Sequence, residues 1–484
     1  MNKSQEVKAV FLITIDALRR DHLKSYGHHR NPAPNLENFV QRGTLFSNAI
    51  TNGPATPSSF SAIFTSILPY LEGGYSPLPS QKITFPQILK ENGIFNYAIH
   101  SNPNLGKFFN YGRGFDVFLD EQKNLVKSQN KEGSNIRRII STSIKKILNK
   151  ELVRKLLYNI PGFNRMKNLL RKRILIFTDL LLPFIPLGFN APYIVNKVSS
   201  FLKNHRGPLF LWAHFMDVHR PYNPPKENVL KFRDTDFSRS ERKFLTMELH
   251  MISNRQNISP THIKNLKVLY DAEINFVDDT LYSLFKIIED KFKDNCLIII
   301  TSDHGESFND HYTFGHQGSV YEELIKVPFF LIEIGRKHTV KKVDETVQLI
   351  DIPPTILDFF NIDIPEDFQG RSLLPLLSGN SLKRKKPVIT ECYQKGGFIK
   401  RNNTEGYKLI AIRTDTWKYI YDEESNQEFL FNLNSDPKEK NNLVSKNKNK
   451  LEEFQLIKQH HLSKVSKSTE KTKLTQAIKK IELS

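Results

Sequence analysis

The sequence predicts an α/β fold: a large, mostly parallel central sheet flanked by helices, followed by a small antiparallel sheet. Three observations carry this. Apolar runs such as Val10-Phe-Leu-Ile-Thr-Ile15, Leu209–Ala213, Cys296–Thr301 and Val327–Ile332 are continuous rather than alternating, as in strands buried on both faces. Helical patterning separates several of them. Near the C-terminus, the runs Lys408–Ile412 and Lys418–Tyr421 have no helix between them, which points to antiparallel pairing.

The elements divide the chain into blocks. Residues 7–380 read as one catalytic unit. Val10–Ile15 is its first strand, and Asp16 stands at that strand's C-terminal end, where ligands bind in open α/β sheets. A helix is expected after Pro34, with Leu36, Phe39 and Val40 on one side. The stretch 121–190 reads as an insertion. Ile136, Ile139, Ile140, Ile144, Ile147 and Leu148 follow helical spacing among Arg137, Arg138, Lys145 and Lys146, a basic amphipathic helix. The apolar stretch 174–187 is interrupted by Asp179, Pro183 and Pro186 and is too short to span a bilayer. The insertion reads first as a helical lid, with peripheral membrane contact through 136–187 as the alternative. Residues 385–443 form the small β subdomain and 444–484 a basic tail.

Composition bounds the function. The net charge of +19 is segregated: residues 121–173 hold 15 Lys/Arg against 3 Glu, residues 437–484 hold 12 Lys against 5 Glu, and the rest balances at 43 against 43. A roughly neutral body with basic appendages and no reader motif argues against specific nucleic-acid binding. Two cysteines, Cys296 and Cys392, exclude a disulfide framework. No secretory pattern or membrane span is visible, so the expected location is the cytoplasm, with peripheral contact at the inner membrane face as an extension. Oligomeric state is not legible.

Four clusters carry chemistry: Asp16; Thr56-Pro57-Ser58-Ser59-Phe60 and its continuation; Asp217-Val218-His219-Arg220-Pro221-Tyr222; and Thr301-Ser302-Asp303-His304-Gly305-Glu306 with His316 downstream. Pro57 suits a first helical turn, so Thr56 is expected as the N-cap, its hydroxyl at the positive helix end where an anion is favoured. Asp303 and His304 close a strand. With Asp16 and a Thr56 oxygen they make a mixed O/N set suited to one Zn²⁺ or Mn²⁺, with Mg²⁺ or Ca²⁺ less natural. Such a cation lowers a hydroxyl's pKa and neutralises a bound ester. His219 and His316 are candidates to contact the ester or protonate a leaving group, and Asp217 to bind substrate. Each of these residues alone has an ordinary structural reading as a cap, a turn or a packed histidine.

Taken in order, the segments resemble the sulfatase family of the alkaline phosphatase superfamily. Phe11 to Gly27, Pro34-Asn35-Leu36, Gly43 to Ala49, Thr56 to Ser66, Thr301 to Glu306, Tyr321 to Pro328, Asp351 to Thr355, Gly370 to Leu373, Arg413 to Lys418 and Leu430 to Pro437 fall on successive family motifs, covering most of 8–443 outside 121–190. The resemblance implies Asp16, Thr56, Asp303 and His304 as metal ligands, with His219 and His316 at the substrate's charged group. A second metal through Asp217, His219 and His316 is a weaker implication. Two departures stand out. The family's Cys/Ser-x-Pro-x-Arg motif, source of formylglycine, is here Thr56-Pro57-Ser58-Ser59-Phe60, and Ala17 replaces the second N-terminal acid. Because phosphotransferases of the superfamily use threonine, Thr56 predicts hydrolysis or transfer of phosphate or phosphodiester groups without formylglycine. Sulfuric ester hydrolysis is the alternative and non-catalytic anion binding a second. The substrate is expected to be a small-molecule, glycan or lipid-headgroup ester.

Overall fold

The computed structural model describes residues 8–69, 77–80, 82–120, 190–252, 255–316, 318–336, 340–380, 387–394 and 407–482. The amphipathic stretch 136–148 and the apolar stretch 174–187 lie outside them. Among the described residues, no helix is long and apolar enough to cross a membrane.

The central sheet has nine strands: β1 (Ala9–Ile15), β2 (Thr44–Ile50), β3 (Phe95–His100), β4 (Val117–Asp120), β5 (Leu209–Phe215), β6 (Cys296–Thr301), then, past a two-stranded ribbon of β7 (Ser307–Phe308) and β8 (Phe314–Gly315), β9 (Lys326–Val327), β10 (Phe329–Ile334) and β11 (Lys342–Gln348). Their order is β11-β2-β10-β6-β1-β5-β3-β4, with β9 beside β2. The neighbours of β1 are both parallel to it, as are the pairs β3–β5 and β3–β4, whereas β10 runs antiparallel to β6 and β2. The continuous apolar runs are explained by two-sided burial. Ala9, Phe11, Ile13 and Ile15 face one core and Val10 and Leu12 the other. The first core is closed by the helices Ala191–Asn204 and Pro260–Lys291 and by the short helix Pro34–Val40, where Leu36, Phe39 and Val40 are buried as their spacing predicts. The second is closed by the helices Thr56–Thr65, Phe85–Glu91 and Ile352–Phe359.

The C-terminal sheet is antiparallel, in the order β12 (Val388–Gln394), β13 (Tyr407–Arg413), β14 (Trp417–Asp422) and β15 (Gln427–Asn432). One face packs Val388, Ala411, Ile420 and Phe431 against Val320, Leu324 and Ile325 of the body. Its other face is covered by the start of the helix Lys448–Glu482, through Phe454, Leu451 and Ile457 on Tyr419 and Leu430. The beginning of the basic tail is therefore a packed element.

Candidate functional site

Because β1, β3, β5 and β6 are parallel, their C-terminal ends share one edge of the sheet. Each delivers polar groups there: Asp16 after β1, Asn102 after β3, His214 in β5, and Asp303 and His304 after β6. The chain leaving β2 brings in Thr56 at the first turn of its helix. Thr56 is not the N-cap as expected; Ala55 holds that position and Thr56 is the first helical residue, followed by Pro57.

Thr56 Oγ1 lies 3.4 Å from Asp16 Oδ2 and 3.3 Å from His304 Nε2. His304 Nε2 is also 3.6 Å from Asp16 Oδ1 and 3.5 Å from Asp303 Oδ2. All four side chains are buried, and Asp16 Oδ1 and Asp303 Oδ2 have no hydrogen-bond partner. Buried carboxylate oxygens without partners are costly, and two facing one imidazole nitrogen and one hydroxyl make a donor set that could hold a cation. The spacing fits: ligands about 2.0–2.1 Å from a tetrahedral centre stand about 3.3 Å apart. His304 Nδ1 donates to the Gly305 carbonyl at 2.8 Å, which leaves the Nε2 lone pair aimed at the cluster.

The supporting shell contains residues that sequence reasoning missed. His214 Nε2 approaches Asp16 Oδ2 at 3.2 Å, and Asn102 donates to the same oxygen at 2.9 Å. An ionised carboxylate only accepts, so His214 Nε2 carries the hydrogen. His214 Nδ1 is 2.9 Å from Thr14 Oγ1, which also accepts from Trp212 Nε1 at 3.1 Å, a chain that fixes the imidazole plane. One signal was available: His214 interrupts the apolar run Phe-Leu-Trp-Ala-His-Phe, and a fully buried histidine in a central strand needs partners. Ala17 adopts φ 58°, in the left-handed region, so the backbone turns away directly after Asp16. Its amide donates to Asp303 Oδ1 at 3.3 Å and its carbonyl accepts from the Tyr270 hydroxyl at 2.7 Å.

Electrostatics follow from this packing. Burial pushes the Asp16 carboxyl up, but the His219 field, the His214 hydrogen bond and His304 outweigh it and hold Asp16 below the usual carboxylate range. Asp303 is pushed up, by burial and then by the Asp16 charge. Burial pulls His304 down, yet Asp303 and Asp16 together hold it above the ordinary imidazole value.

His219 and His316 border the cluster. Their rings are 5.0 Å apart, and His316 stacks on His304 at 4.2 Å. His219 Nδ1 donates to the Arg220 carbonyl at 2.6 Å, so its Nε2 is the atom left for chemistry. Burial and the neighbouring His304 pull His316 down to about 4, against the nearby Glu306 carboxylate. Asp217 stands two residues before His219. Its Oδ1 accepts from the Ala191 amide at 3.0 Å, which ties it to the start of the helix Ala191–Asn204, and burial raises it to about 6. Its Oδ2 is buried without a hydrogen-bond partner.

Comparisons with known proteins agree with this architecture. A family model described as sulfatase matches residues 8–362, and one described as N-sulphoglucosamine sulphohydrolase, C-terminal, matches residues 310–468. The chain is similar to an arylsulfatase of Clostridium perfringens (26% identity, 90% of each chain) and to human arylsulfatase K (27%, 84% of this chain and 74% of the relative). Among solved structures, a 2-O GAG sulfatase superposes with a TM-score of 0.66 at 18% identity over 95% of this chain and 93% of the other. The phosphonate monoester hydrolase of Agrobacterium radiobacter gives 0.67 at 17%, over 95% and 96%. At that identity the two structures speak for the fold alone. The sequence relatives overturn the expectation of phosphate-ester chemistry drawn from Thr56, since they are named as sulfatases. The family models cover the chain from the first strand to the tail helix, and the chain belongs to the sulfatase family.

Proposed function

We propose that the protein is a metal-dependent sulfuric ester hydrolase in which unmodified Thr56 supplies the attacking oxygen. The observation that carries the reading is the convergence of Thr56 Oγ1, Asp16 Oδ1, Asp303 Oδ2 and His304 Nε2, with the two carboxylate oxygens buried and unpaired. Sulfate rather than phosphate is supported by the names of the sequence relatives. Threonine cannot yield the formylglycine aldehyde, so an oxygen nucleophile at this position is the side chain's own hydroxyl.

Asp16, Thr56, Asp303 and His304 are the residues that would hold one divalent cation, Zn²⁺ or Mn²⁺ by the mixed O/N donor set. When bound, it supplies Lewis acidity, favouring the threonine alkoxide and offsetting negative charge on the ester. The chain's own groups do the rest. Thr56 Oγ attacks sulfur, its proton passing to His219 Nε2, and the bond between sulfur and the leaving alcohol oxygen breaks. His219 Nε2 hands that proton to the departing oxygen, while the Nδ1 bond to the Arg220 carbonyl holds the ring in place. Neutral His219 then accepts a proton from water as the water oxygen attacks the sulfo-threonine. The Thr56 oxygen–sulfur bond breaks, the Thr56 oxygen takes that proton back from His219, and hydrogensulfate leaves. His316, neutral near pH 7, contributes a hydrogen bond to the ester oxygens rather than charge.

The test is turnover of 4-nitrophenyl sulfate and 4-nitrophenyl phosphate with added Zn²⁺ or Mn²⁺, together with rapid-quench mass spectrometry of the peptide carrying Thr56. Sulfate hydrolysis with a transient sulfo group on Thr56 is expected. Preferential cleavage of the phosphate, or modification at another residue, would contradict the proposal.

A further inference from the structure

Away from the catalytic cluster, a second set of ligand-type side chains converges from two parts of the chain. His22 and His28 belong to the segment that follows β1, and Asp271 lies within the long helix Pro260–Lys291. One nitrogen of each ring and one Asp271 oxygen all lie within 4.8 Å of one another. His22 Nδ1 donates to Asp271 Oδ1 at 2.6 Å, and His28 Nε2 stands 3.3 Å from Oδ2. The two rings stack with centroids 4.7 Å apart and planes 28° apart, and both turn a nitrogen to the same carboxylate. Tyr270 and Phe308 pack edge-on against His22, which makes the inner side of the group dry.

Pairing the Asp271 charge does not require the histidines. Arg30 Nη1 bonds Asp271 Oδ2 at 2.7 Å, and this permanent cation alone balances the carboxylate. Burial pushes Asp271 up, but the hydrogen bonds from His22 and His28 outweigh it and keep the carboxyl ionised, while burial holds His22 below the ordinary imidazole value. An ionised carboxylate and a neutral imidazole are the forms that ligate metal. Two imidazoles and a carboxylate are a three-ligand zinc set, with water in the fourth position. The 3.3 Å from His28 Nε2 to Asp271 Oδ2 is already the edge of a tetrahedron with bonds of about 2.0–2.1 Å. The cation takes the place of the proton between His22 Nδ1 and Asp271 Oδ1, which leaves to solvent, and Arg30 remains the outer partner of the carboxylate. An approach exists: Arg30 also lines a cavity of about 990 Å³, together with Val268 and Asn275, which lie about one helical turn before and after Asp271. We propose that His22, His28 and Asp271 bind a second divalent cation, Zn²⁺, which staples the segment after β1 to the long helix. The staple stands behind the turn that carries Asp16, because the hydroxyl of neighbouring Tyr270 holds the Ala17 carbonyl and the Arg19 amide. Mn²⁺ prefers oxygen ligands and selects the carboxylate-rich catalytic cluster over this histidine pair.

The experiment titrates the chelator-treated full chain with Zn²⁺ or with Mn²⁺ and counts bound metal by mass spectrometry, in wild type, His28→Ala and Asp303→Asn. The Asp303→Asn variant disables the catalytic cluster and isolates the staple. Wild type is expected to hold two Zn²⁺ but one Mn²⁺, and each variant one Zn²⁺. X-ray absorption at the zinc edge should show two imidazoles around the metal in Asp303→Asn and one in His28→Ala, where only the catalytic cluster remains. Zn²⁺ at 100 times its Kd should also raise the Tm of Asp303→Asn by about 3 °C. Two Zn²⁺ retained by His28→Ala, or a single imidazole around the zinc in Asp303→Asn, would overturn the staple. One wild-type Zn²⁺ that Asp303→Asn abolishes would also overturn it while leaving the catalytic cluster standing. One wild-type Zn²⁺ that only His28→Ala removes would uphold the staple and take the metal out of the catalytic reading. No Zn²⁺ bound by wild type would remove both.

Discussion

Substituting Asp303 by Asn should change stability in opposite directions with and without a divalent cation. In the cation-free protein, Asp16 and Asp303 bury ligand oxygens within 4.8 Å of each other. Two unit charges at that separation repel by about 3 kcal/mol at an effective dielectric of ~20. The nearby His214 and His304 offset part of this, which leaves a net gain of about 1–2 kcal/mol when one charge is removed. With an unfolding entropy of about 2.1 cal/mol/K per residue, a chain of 484 residues changes Tm by about 1 °C per kcal/mol. Chelator-treated Asp303→Asn should thus melt about 1–2 °C above chelated wild type. Adding Mn²⁺ to 100 times its Kd stabilises wild type by about 2.7 kcal/mol, or about 3 °C, and should do little for the variant. Differential scanning calorimetry of the four samples reads both shifts. A chelated variant less stable than chelated wild type, with the cation response intact, would refute the reasoning, because Asp303 would then be a structural carboxylate.

Other residues make separable predictions. Thr56→Ala should cut sulfate-ester turnover by about 10³-fold or more with the melting temperature nearly unchanged, whereas Thr56→Ser, which keeps the oxygen, should retain measurable turnover; both are read by steady-state kinetics. His214→Leu leaves Asp16 without its imidazole partner and should weaken Mn²⁺ affinity by about 10- to 100-fold, measured by titration calorimetry. Asp217 is raised by burial from 3.8 to about 6, so the folded protein binds more protons than the unfolded chain between those values, and stability falls as pH rises through that window by at most about 1.4 kcal/mol per unit. Asp217→Asn should flatten that slope in melting curves from pH 4 to 6.5 while leaving turnover within a few-fold.

Much of the scaffold was legible because two-sided burial writes itself into composition. β1 and β6 are unbroken apolar runs that end in acids, and a run that ends in an acid at a parallel sheet's edge announces both strand and site. The same logic reached Asp16, Asp303 and His304, and helix chemistry around Pro57 reached Thr56, though one position off in its capping role. Residues whose part depends on register were not legible. His214 reaches Asp16 only because β1 and β5 pair in parallel with Thr14 opposite His214. Asn102 needs the turn after β3 to reach Asp16 Oδ2. For Asp217, proximity in sequence to His219 does not fix direction: the turn after β5 brings its Oδ1 to the Ala191 amide. The phosphate expectation failed for a related reason: the identity of one nucleophilic atom constrains how an ester is attacked more than which central atom the pocket receives.

The most direct measurement is an anomalous difference map from a crystal grown with Mn²⁺. A single peak bounded by Asp16 Oδ1, Asp303 Oδ2, His304 Nε2 and Thr56 Oγ1 is predicted. A map with no density among those four atoms, or with the cation bound elsewhere, would contradict the account.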